Sequence, residues 1–394
     1  MASRSQSPTQ PMQTMQGQLV PSSSVNPLEF ARATRRMRFL QFNGAFAGLG
    51  FTDTIKILRT GIISELTIQG SGTVTIALPT GVAATTQRWP YDMIKACRFA
   101  ANGQSQLINV SGAKLKAYEL LHRGDLNDRG VTQAIGGAFP GTNRNQGTLS
   151  LNSESWGLGS NVSAVSAGAY SFNLEWIVPI AYNQSNLVGA IFAQTSSTDL
   201  TLAIDWAPVT DLFTLTLTAT AVVAMTLKVL ATLYTIPQNP QGGIFIPDLS
   251  AFHALQQSRV TPGTGVNELV LIGQGVGRQL LRIYTQVWNG APSTIQAVND
   301  TNFGQFGLRF GGNDTPELLP SGSFAAQIQE RTTSSDLSAF FGFLSLDFVS
   351  EFAFRDAYDE GTASELRLIV ELLGALTSPS IEYVQETLAS GVAA

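Results

Sequence analysis

The chain has 394 residues, of which 44% are hydrophobic and only 13% charged, with a net charge of −5. This length allows two or three domains that each bury a core. The net charge excludes a global attraction to nucleic acid or acidic membranes. The charged fraction is well below the roughly 25% typical of globular proteins, which indicates that much of the folded surface faces other protein.

The cysteine count and the start of the chain bear on the compartment. Cys97 is the single cysteine, so an internal disulfide is excluded and no oxidising compartment is required. The first residues contain no apolar run of signal-peptide length. The sequence therefore predicts a protein that is made and kept in a cytoplasm.

Residues 1–36 are predicted to form an arm followed by a basic helix. The first two dozen residues are mostly Gln, Ser, Pro and Thr and hold too few apolar side chains to fold alone. Asn26 as N-cap and Pro27 at the first helical position predict a helix start. This helix is predicted to be amphipathic, and its basic residues are Arg32, Arg35, Arg36 and Arg38.

Three locations suit such a basic helix. It could pack on its own domain, anchor on a neighbouring subunit or lie on acidic lipid headgroups. We predict that its four arginines make contacts with another subunit or with a membrane.

Residues 37–236 are predicted to form a first β domain. Alternating apolar runs predict strands at Ile55–Leu78 in two runs, Met93–Phe99, Leu115–His122, Gly147–Leu151 and Ala169–Pro179, with one helix at Ser185–Gln194. Because strand follows strand with Gly-rich turns, a β-sandwich is favoured over an alternating α/β sheet.

The apolar stretch Leu212–Ile236 is long enough to cross a bilayer and contains only Lys228 as a charge. Its threonines, however, alternate with apolar residues at a period of two from Thr214 to Thr220. That spacing is typical of a strand, so one bent strand or two strands are predicted here and a membrane helix is not.

Two prolines and two glycines in Ile236–Gly243 block both helix and strand, and we place the linker between domains at residues 237–247. The second domain, 248–394, is predicted to begin with a short helix at Pro247–Leu255. Its predicted strands are Glu268–Ile272, Gln279–Trp288, Phe306–Phe310, Phe340–Val349 and Leu366–Leu373, with a helix near Ser323–Arg331.

A short segment occurs twice, as a helix-like stretch that runs into a strand. The first copy begins at Gly189 and reaches Leu200, and the second begins at Gly322 and reaches Leu337. Internal repetition of a supersecondary unit predicts a tandem of similar domains. The chain is therefore predicted to hold two versions of one β domain.

Candidates for chemistry are few. His122 and His253 are the only histidines, no Gly-x-Ser-x-Gly elbow places a serine, and one cysteine cannot build a metal site with them. The run Gly273–Gly277 lacks the spacing of a dinucleotide loop and precedes a strand. We predict that the chain is not an enzyme and binds no cofactor or metal.

Three segments resemble the major capsid protein of tailless, membrane-containing bacteriophages of the tectivirus type. They are Trp176–Tyr182, Asn186–Ala190 and Ile246–Ser250, and weaker similarity extends from about Gly61 to the C-terminus. The resemblance lies in their order and spacing, since no one motif is diagnostic. The arm and the loop Gly124–Asn145 depart from the family.

The resemblance implies an all-β fold with short helices, a double jelly roll of two eight-stranded β-sandwiches in tandem. In the family each sandwich has a helix between its sixth and seventh strands, which would be Ser185–Gln194 and Ser323–Arg331 here. It also implies pseudo-hexagonal homotrimers that tile an icosahedral shell around an internal membrane. The implied partners are neighbouring trimers, minor capsid and vertex proteins, and the membrane through the N-terminal segment, in a virion made in a bacterial cytoplasm.

Two other functions fit a jelly roll. A carbohydrate- or receptor-binding surface protein would line a groove with tryptophans, which the sequence has at Trp89, Trp156, Trp176, Trp206 and Trp288. A glycosidase would need two converging carboxylates, for which Asp356, Asp359 and Glu360 are candidates.

Overall fold

The computed structural model describes most of the chain outside the N-terminal arm and several loops. The described residues are 14–15, 18–19, 27–86, 88–102, 106–123, 164–165, 167–194, 199–238, 246–271, 277–291, 295–298, 300–310, 317–320, 343–349, 357–359 and 365–390. Helices in this part are α1 (Pro27–Ala33), α2 (Gly112–Arg123) and α3 (Val209–Leu212), with 3-10 turns at Tyr91–Met93 and Asp300–Asn302. Within these residues no helix has the length and apolar content that a bilayer crossing requires.

The first half of the chain forms an eight-stranded sandwich. Its strands are β1 (Arg36–Ala45), β2 (Thr52–Lys56), β3 (Ile62–Ala77), β4 (Ile94–Ala101), β5 (Ile108–Val110), β6 (Gly168–Pro179), β7 (Leu200–Trp206) and β8 (Thr220–Tyr234). One sheet has the order β6-β3-β8-β1 and the other β5-β4-β7-β2, with every neighbouring pair antiparallel. This order is that of a jelly roll, in which two sheets share strands that alternate along the chain.

The second half repeats the topology. Its strands are β9 (Ala251–Val260), β10 (Gly265–Val270), β11 (Arg278–Asn289), β12 (Phe303–Phe310), β13 (Glu317–Pro320), β14 (Phe343–Asp347), β15 (Leu366–Leu372) and β16 (Ser380–Ser390). The sheets are β14-β11-β16-β9 and β13-β12-β15-β10, so each strand takes the place of the strand eight positions earlier. The predicted double jelly roll of two eight-stranded sandwiches is confirmed.

Short strands extend these sheets or form small ones at their ends. They are Thr14–Met15, Gln18–Leu19, Ala83–Thr85, Ala164–Val165, Ile191–Phe192, Phe213–Leu215, Gln296–Ala297 and Tyr358–Asp359. The stretch Leu212–Ile236 accordingly contains two strands, Phe213–Leu215 and the 15-residue β8.

Each jelly roll has its own apolar core between its sheets. In β8 the core side alternates with an exposed side, and the long β3 runs unbroken through Gly70–Gly72. The core of the first jelly roll also includes four residues of the second, which are Leu255, Tyr284, Phe343 and Val384. The two jelly rolls therefore pack against each other through apolar contacts as well as through their sheets.

The segment Leu115–His122, predicted as a strand, is helical and belongs to α2. Its Ala, Leu, Lys and Glu residues are strong helix formers. The alternation of Leu115 and Ala117 with Lys114 and Lys116 was misleading, because both lysines are buried as well. A helix buried on nearly all sides shows no clean apolar stripe.

The predicted helix at Ser185–Gln194 is also wrong. Residues 183–190 form turns, with Leu187 and Gly189 at positive φ, and a two-residue strand follows. The longest helix described in the first jelly roll is instead α2, which lies between its fifth and sixth strands. The second predicted helix, Ser323–Arg331, falls outside the described residues, as do Gly147–Leu151 and the second copy of the repeat.

The helix predicted at Pro247–Leu255 is wrong as well. Residues 246–250 have no regular structure and Ala251 begins β9, a strand that pairs with β16 over its whole length. Polar residues on both faces of β9 weakened its period-two pattern, because both faces are covered in the folded chain.

Candidate functional site

The two jelly rolls are joined by a continuous sheet. Strand β5, at the edge of a sheet in the first jelly roll, pairs in parallel with β9, at the edge of a sheet in the second. Leu255 lies opposite Ile108 and Gln256 opposite Asn109, and the Leu255 amide donates to the Leu107 carbonyl at 2.9 Å. The same face of this joined sheet therefore lines the interior of the first jelly roll and forms the outer surface of the second.

Helix α2 covers that exterior face. Gly112 begins the helix so close to the Tyr91 carbonyl and the Trp176 indole that a side chain has no room there. The Asp92 carboxylate accepts a hydrogen bond from the Ala113 amide at 3.2 Å, and the Gln257 side chain accepts one from the Ser111 amide at 2.7 Å. Both acceptors satisfy amides that the first turn of a helix leaves unpaired.

A first cluster of charges lies beneath the start of α2. The Arg88 guanidinium donates to Asp92 and to Glu382, each at 2.6 Å, and the Trp288 indole donates to Glu382 at 3.0 Å. The Lys114 ammonium lies 3.9 Å from the same Glu382 carboxylate. These residues come from both jelly rolls, so the cluster joins them.

Burial and pairing shift the pKa values of these groups in opposite directions. Burial would raise the pKa of Glu382, but the positive charges of Arg88 and Lys114 outweigh it and lower the pKa to about 2. Burial lowers the pKa of Lys114 to about 8, although Glu382 and Asp92 favour its charged form. Burial also raises the pKa of Asp92, with the charge of Arg88 opposing it. The Glu382 carboxylate is therefore the firmly ionised centre of the cluster.

A second cluster surrounds Glu386, four residues further along β16. Its carboxylate lies 3.0 Å from His253 Nε2, 3.1 Å from the Tyr284 hydroxyl, 3.2 Å from the Tyr118 hydroxyl and 3.4 Å from Arg282. Burial raises the pKa of both tyrosines, which keeps them protonated as hydrogen-bond donors. A buried carboxylate with this many donors holds elements together and is not free to act on a substrate.

A cleft of about 180 Å³ opens beside the first cluster and is lined by charges of both signs. Those charges pair with one another: Arg88 with Asp92, Lys95 with Asp211 at 3.8 Å, and Arg259 with Glu382 at 3.9 Å. Ligands of either charge are therefore not favoured. In the described part of the chain no three His, Cys, Asp or Glu side chains are grouped to hold a metal ion.

The structure does not bring the other candidates for chemistry together. His253 is buried beneath Glu386, and Cys97 is buried in the first core, where burial raises its pKa to about 12. Trp89, Trp176, Trp206 and Trp288 are buried, so they form no platform for a sugar. The side chains of Trp156, His122, Asp356, Asp359 and Glu360 lie outside the described residues.

The four predicted arginines lie on two elements and not on one helix. Helix α1 ends at Ala33, so it contains Arg32 only. Arg36 and Arg38 belong to β1, and Arg35 lies between the two elements, where its amide donates to Thr235. All four are exposed. They form a basic strip along the first edge of the jelly roll.

Two other edge features were not found from the sequence. Among the described residues, β1 and β13 each end a sheet, and β1 exposes Phe39 and Leu40 while β13 exposes Leu319. Unpaired, partly apolar edge strands are points where other chains can add. The available signal was the mixed run Met37–Phe42, in which apolar residues occur on both faces.

Glu382 and Glu386 were also missed, because β16 was not predicted as a strand. Arg282 was missed although it lies in the predicted strand Gln279–Trp288. A signal was present, since Glu382, Val384 and Glu386 share one face of the C-terminal run. Charges at strand spacing ordinarily indicate a solvated face, and only the position of α2 reverses that interpretation.

Comparison with known proteins gives matches by structure alone, since no protein-family model and no curated protein matches the chain. The major capsid protein of Sulfolobus turreted icosahedral virus superposes with a TM-score of 0.62 at 13% identity, covering 90% of this chain and 97% of that one. A PBCV-1 virus capsid chain gives 0.54 at 10% identity, with 95% and 97% covered, and the Faustovirus major capsid protein gives 0.53 at 8%, with 91% and 90% covered. The chain thus has a fold found in the double jelly-roll capsid proteins of several viruses.

Proposed function

We propose that this chain is a viral major capsid protein whose function is to assemble with copies of itself. The double jelly-roll fold over nearly the whole chain is the observation that carries the proposal. Fold alone does not specify function, but both jelly rolls here present edges suited to self-association. The buried carboxylates and histidine are engaged in joining the jelly rolls, which supports a structural role without catalysis.

The assembly unit in this proposal is a homotrimer with a pseudo-hexagonal outline, because three chains bring six similar jelly rolls around one axis. Such trimers would tile an icosahedral virion shell with minor capsid and vertex proteins as further partners. The basic strip of Arg32, Arg35, Arg36 and Arg38 contacts a neighbouring subunit or the headgroups of an internal membrane. A bacteriophage of the tectivirus type, with synthesis in a bacterial cytoplasm, remains the host context that the sequence resemblance predicts.

The rival carbohydrate-binding function has lost its main support. Four of the five tryptophans on which it depended are buried in the cores and between the jelly rolls. No observation in the described part of the chain favours a sugar-binding groove over an assembly surface.

Light scattering coupled to size exclusion tests the proposal directly. We expect a particle of three chains of 42.0 kDa each, and a hexagonal outline in negative-stain electron microscopy. A stable monomer at micromolar concentration would contradict the proposal.

A further inference from the structure

We infer that the β1 edge of one copy pairs in parallel with the β13 edge of a second copy, repeating between chains the β9–β5 contact that joins the jelly rolls within one chain. This inference rests on the proposed self-assembly and names the strands that perform it. The occupant of each edge is therefore a second copy of this chain.

The internal contact provides the template. Strand β5 is the fifth strand of the first jelly roll and β9 is the first strand of the second. Besides the Leu255 amide bond, the Gln256 side chain donates to the Leu107 carbonyl at 3.3 Å. A short parallel ladder and one side-chain amide thus fix the register between the two sheets.

Strand β1 is the counterpart of β9. Both are ten-residue first strands that pair antiparallel with the last strand of their own jelly roll. Leu40 occupies the same position in β1 as Leu255 in β9, the fifth of each strand, and each lies opposite the residue four before the end of the last strand. The next residue differs, because Gln41 is the extra residue of a β-bulge and its side chain accepts a hydrogen bond from the Leu58 amide. Leu40 and Leu255 also point the same way, away from the interior of their own jelly roll, since each faces the outer side of the last strand.

Strand β13 is the counterpart of β5. Ile108 pairs with Phe99 and Glu317 pairs with Leu308, and both of these partners lie opposite the third residue of the seventh strand of their jelly roll. Residues 317, 318 and 319 therefore take the places of residues 108, 109 and 110. The equivalent ladder aligns Leu40 with Glu317 and places Leu318 beside the bulge at Gln41.

The exposure of equivalent side chains differs between the contact within the chain and the proposed contact between two copies. Leu255 is 1% exposed and Val110 2%, because each jelly roll covers the other. Their counterparts Leu40 and Leu319 are 51% and 39% exposed, on edges that pair with no other strand among the described residues. Equivalent side chains are thus buried at the contact within the chain and exposed on β1 and β13. This difference is expected if a second copy of the chain completes the contact.

Charge disfavours the rival pairing of two β1 edges. Arg36 and Arg38 lie on the same outer face of β1 as Leu40 and are exposed. Like charges brought together at an interface disfavour the wrong partner. Two β1 edges meeting each other would oppose arginine to arginine.

The contact is heterologous, because the two edges differ, so repetition either closes a ring or extends a filament. The contact between β5 and β9 already joins the two jelly rolls of one chain in the same way. Three chains contribute six jelly rolls and three further contacts, which closes the ring proposed above. Each subunit then leaves no β1 or β13 edge open.

Cysteine cross-linking tests the register. We expect the double variant Gln41→Cys, Leu318→Cys, treated with a short bis-maleimide, to give covalent dimers and closed trimers on denaturing gels. The two positions lie on adjacent strands, about 5 Å apart in such a ladder. The natural Cys97 is fully buried and does not interfere.

The internal ladder supplies the matched control. Asn109→Cys with Gln256→Cys, aligned directly within one chain, should cross-link without any increase in mass, and each single variant should give no covalent trimer. If the double variant stays trimeric by light scattering but yields only single chains on the gel, the inference is wrong and the proposed function stands. If the wild-type chain is a monomer, both are wrong.

A charge placed on the edge gives an independent readout. Leu319→Asp should raise the concentration for half-assembly of trimers at least tenfold, because the introduced carboxylate would be buried without a partner. Leu217→Asp is the control, since Leu217 is 86% exposed in a turn with φ of 54°, a conformation that Asp accepts. Equal trimer stability of the two variants would overturn the inference.

Discussion

Glu382 and Glu386 show at the scale of single residues how one covered face changes the role of a charge. Both lie on the face of β16 that would meet solvent in an isolated jelly roll. Here α2 and the first jelly roll cover that face, and Arg88 and Arg282 compensate the two carboxylates. Removing one partner of a buried ion pair costs about 3–5 kcal/mol, because the remaining charge is left without compensation.

The lowered pKa of Glu382 predicts a loss of stability in acid. Its folded pKa of about 2 lies below the ordinary value of 4.5, so the unfolded chain binds the proton first as the pH falls. The stabilisation is complete above pH 4.5 and is lost progressively towards pH 2, by roughly 3 kcal/mol. We expect the free energy of unfolding of the wild type to fall over this range.

The control for this pH dependence is Glu382→Gln, which keeps a hydrogen-bond acceptor for Trp288 and removes the titrating group. We expect the variant to be less stable at pH 6 and its stability to change less between pH 5 and pH 3. Denaturant unfolding at each pH measures both chains. Parallel pH profiles for the two would contradict the assignment.

At the scale of elements, α2 decides how the jelly rolls are joined. The helix packs its Ala113, Leu115 and Ala117 into the first core and its Tyr118 against Glu386 of the second jelly roll. Taken alone, the alternation of Leu115 and Ala117 with lysines suggests a strand. In the fold, however, these residues lie across the face of a sheet whose strands are already paired. A helix satisfies its own backbone hydrogen bonds, so it can cover such a face and a further strand cannot.

Gly112→Ala tests the close approach of α2. A Cβ at this position would overlap the Tyr91 carbonyl and lie 2.7 Å from the Trp176 indole nitrogen, so the first turn of α2 must shift. We expect a loss of at least 2 kcal/mol in the free energy of unfolding, measured in denaturant. Gly263→Ala is the matched control, because its Cβ would meet nothing within 4 Å, and it should change stability by less than about 0.5 kcal/mol. Similar losses for both variants would refute this role.

At the scale of the whole molecule, helix α1 anchors the start of the body to the first jelly roll. Helix α1 is fixed to the first jelly roll, since Phe30 packs with Ile62 and Leu187, and the Thr34 hydroxyl donates to the Thr235 carbonyl at 2.6 Å. The arm, residues 1–26, therefore lies outside this attachment. The domain boundary at 237–247 stays a prediction, with β8 ending at Tyr234 and β9 starting at Ala251.

Deletion of residues 1–26 tests the role of the arm in assembly. We expect the truncated chain to form trimers with unchanged melting temperature and to lose shell assembly, because it retains β1 and β13, the strands that we propose to close the trimer. Light scattering measures the trimer and electron microscopy measures the shells. The full-length chain with Arg32→Ala and Arg35→Ala separates the basic strip from the arm, and shells formed by the truncated chain would contradict the prediction.

The sequence by itself determined the β class, the tandem of two similar domains and most of the long strands. Period-two alternation in β7 and β8 reports one buried face and one more exposed face, which is a local property. The tertiary structure alone decided the identity of α2, the strand character of β9 and the joining of two sheets across β5 and β9. Residues distant in sequence cover α2 and bury both faces of β9 at His253, Ala254 and Leu255, so no local pattern of polarity records which partner covers them.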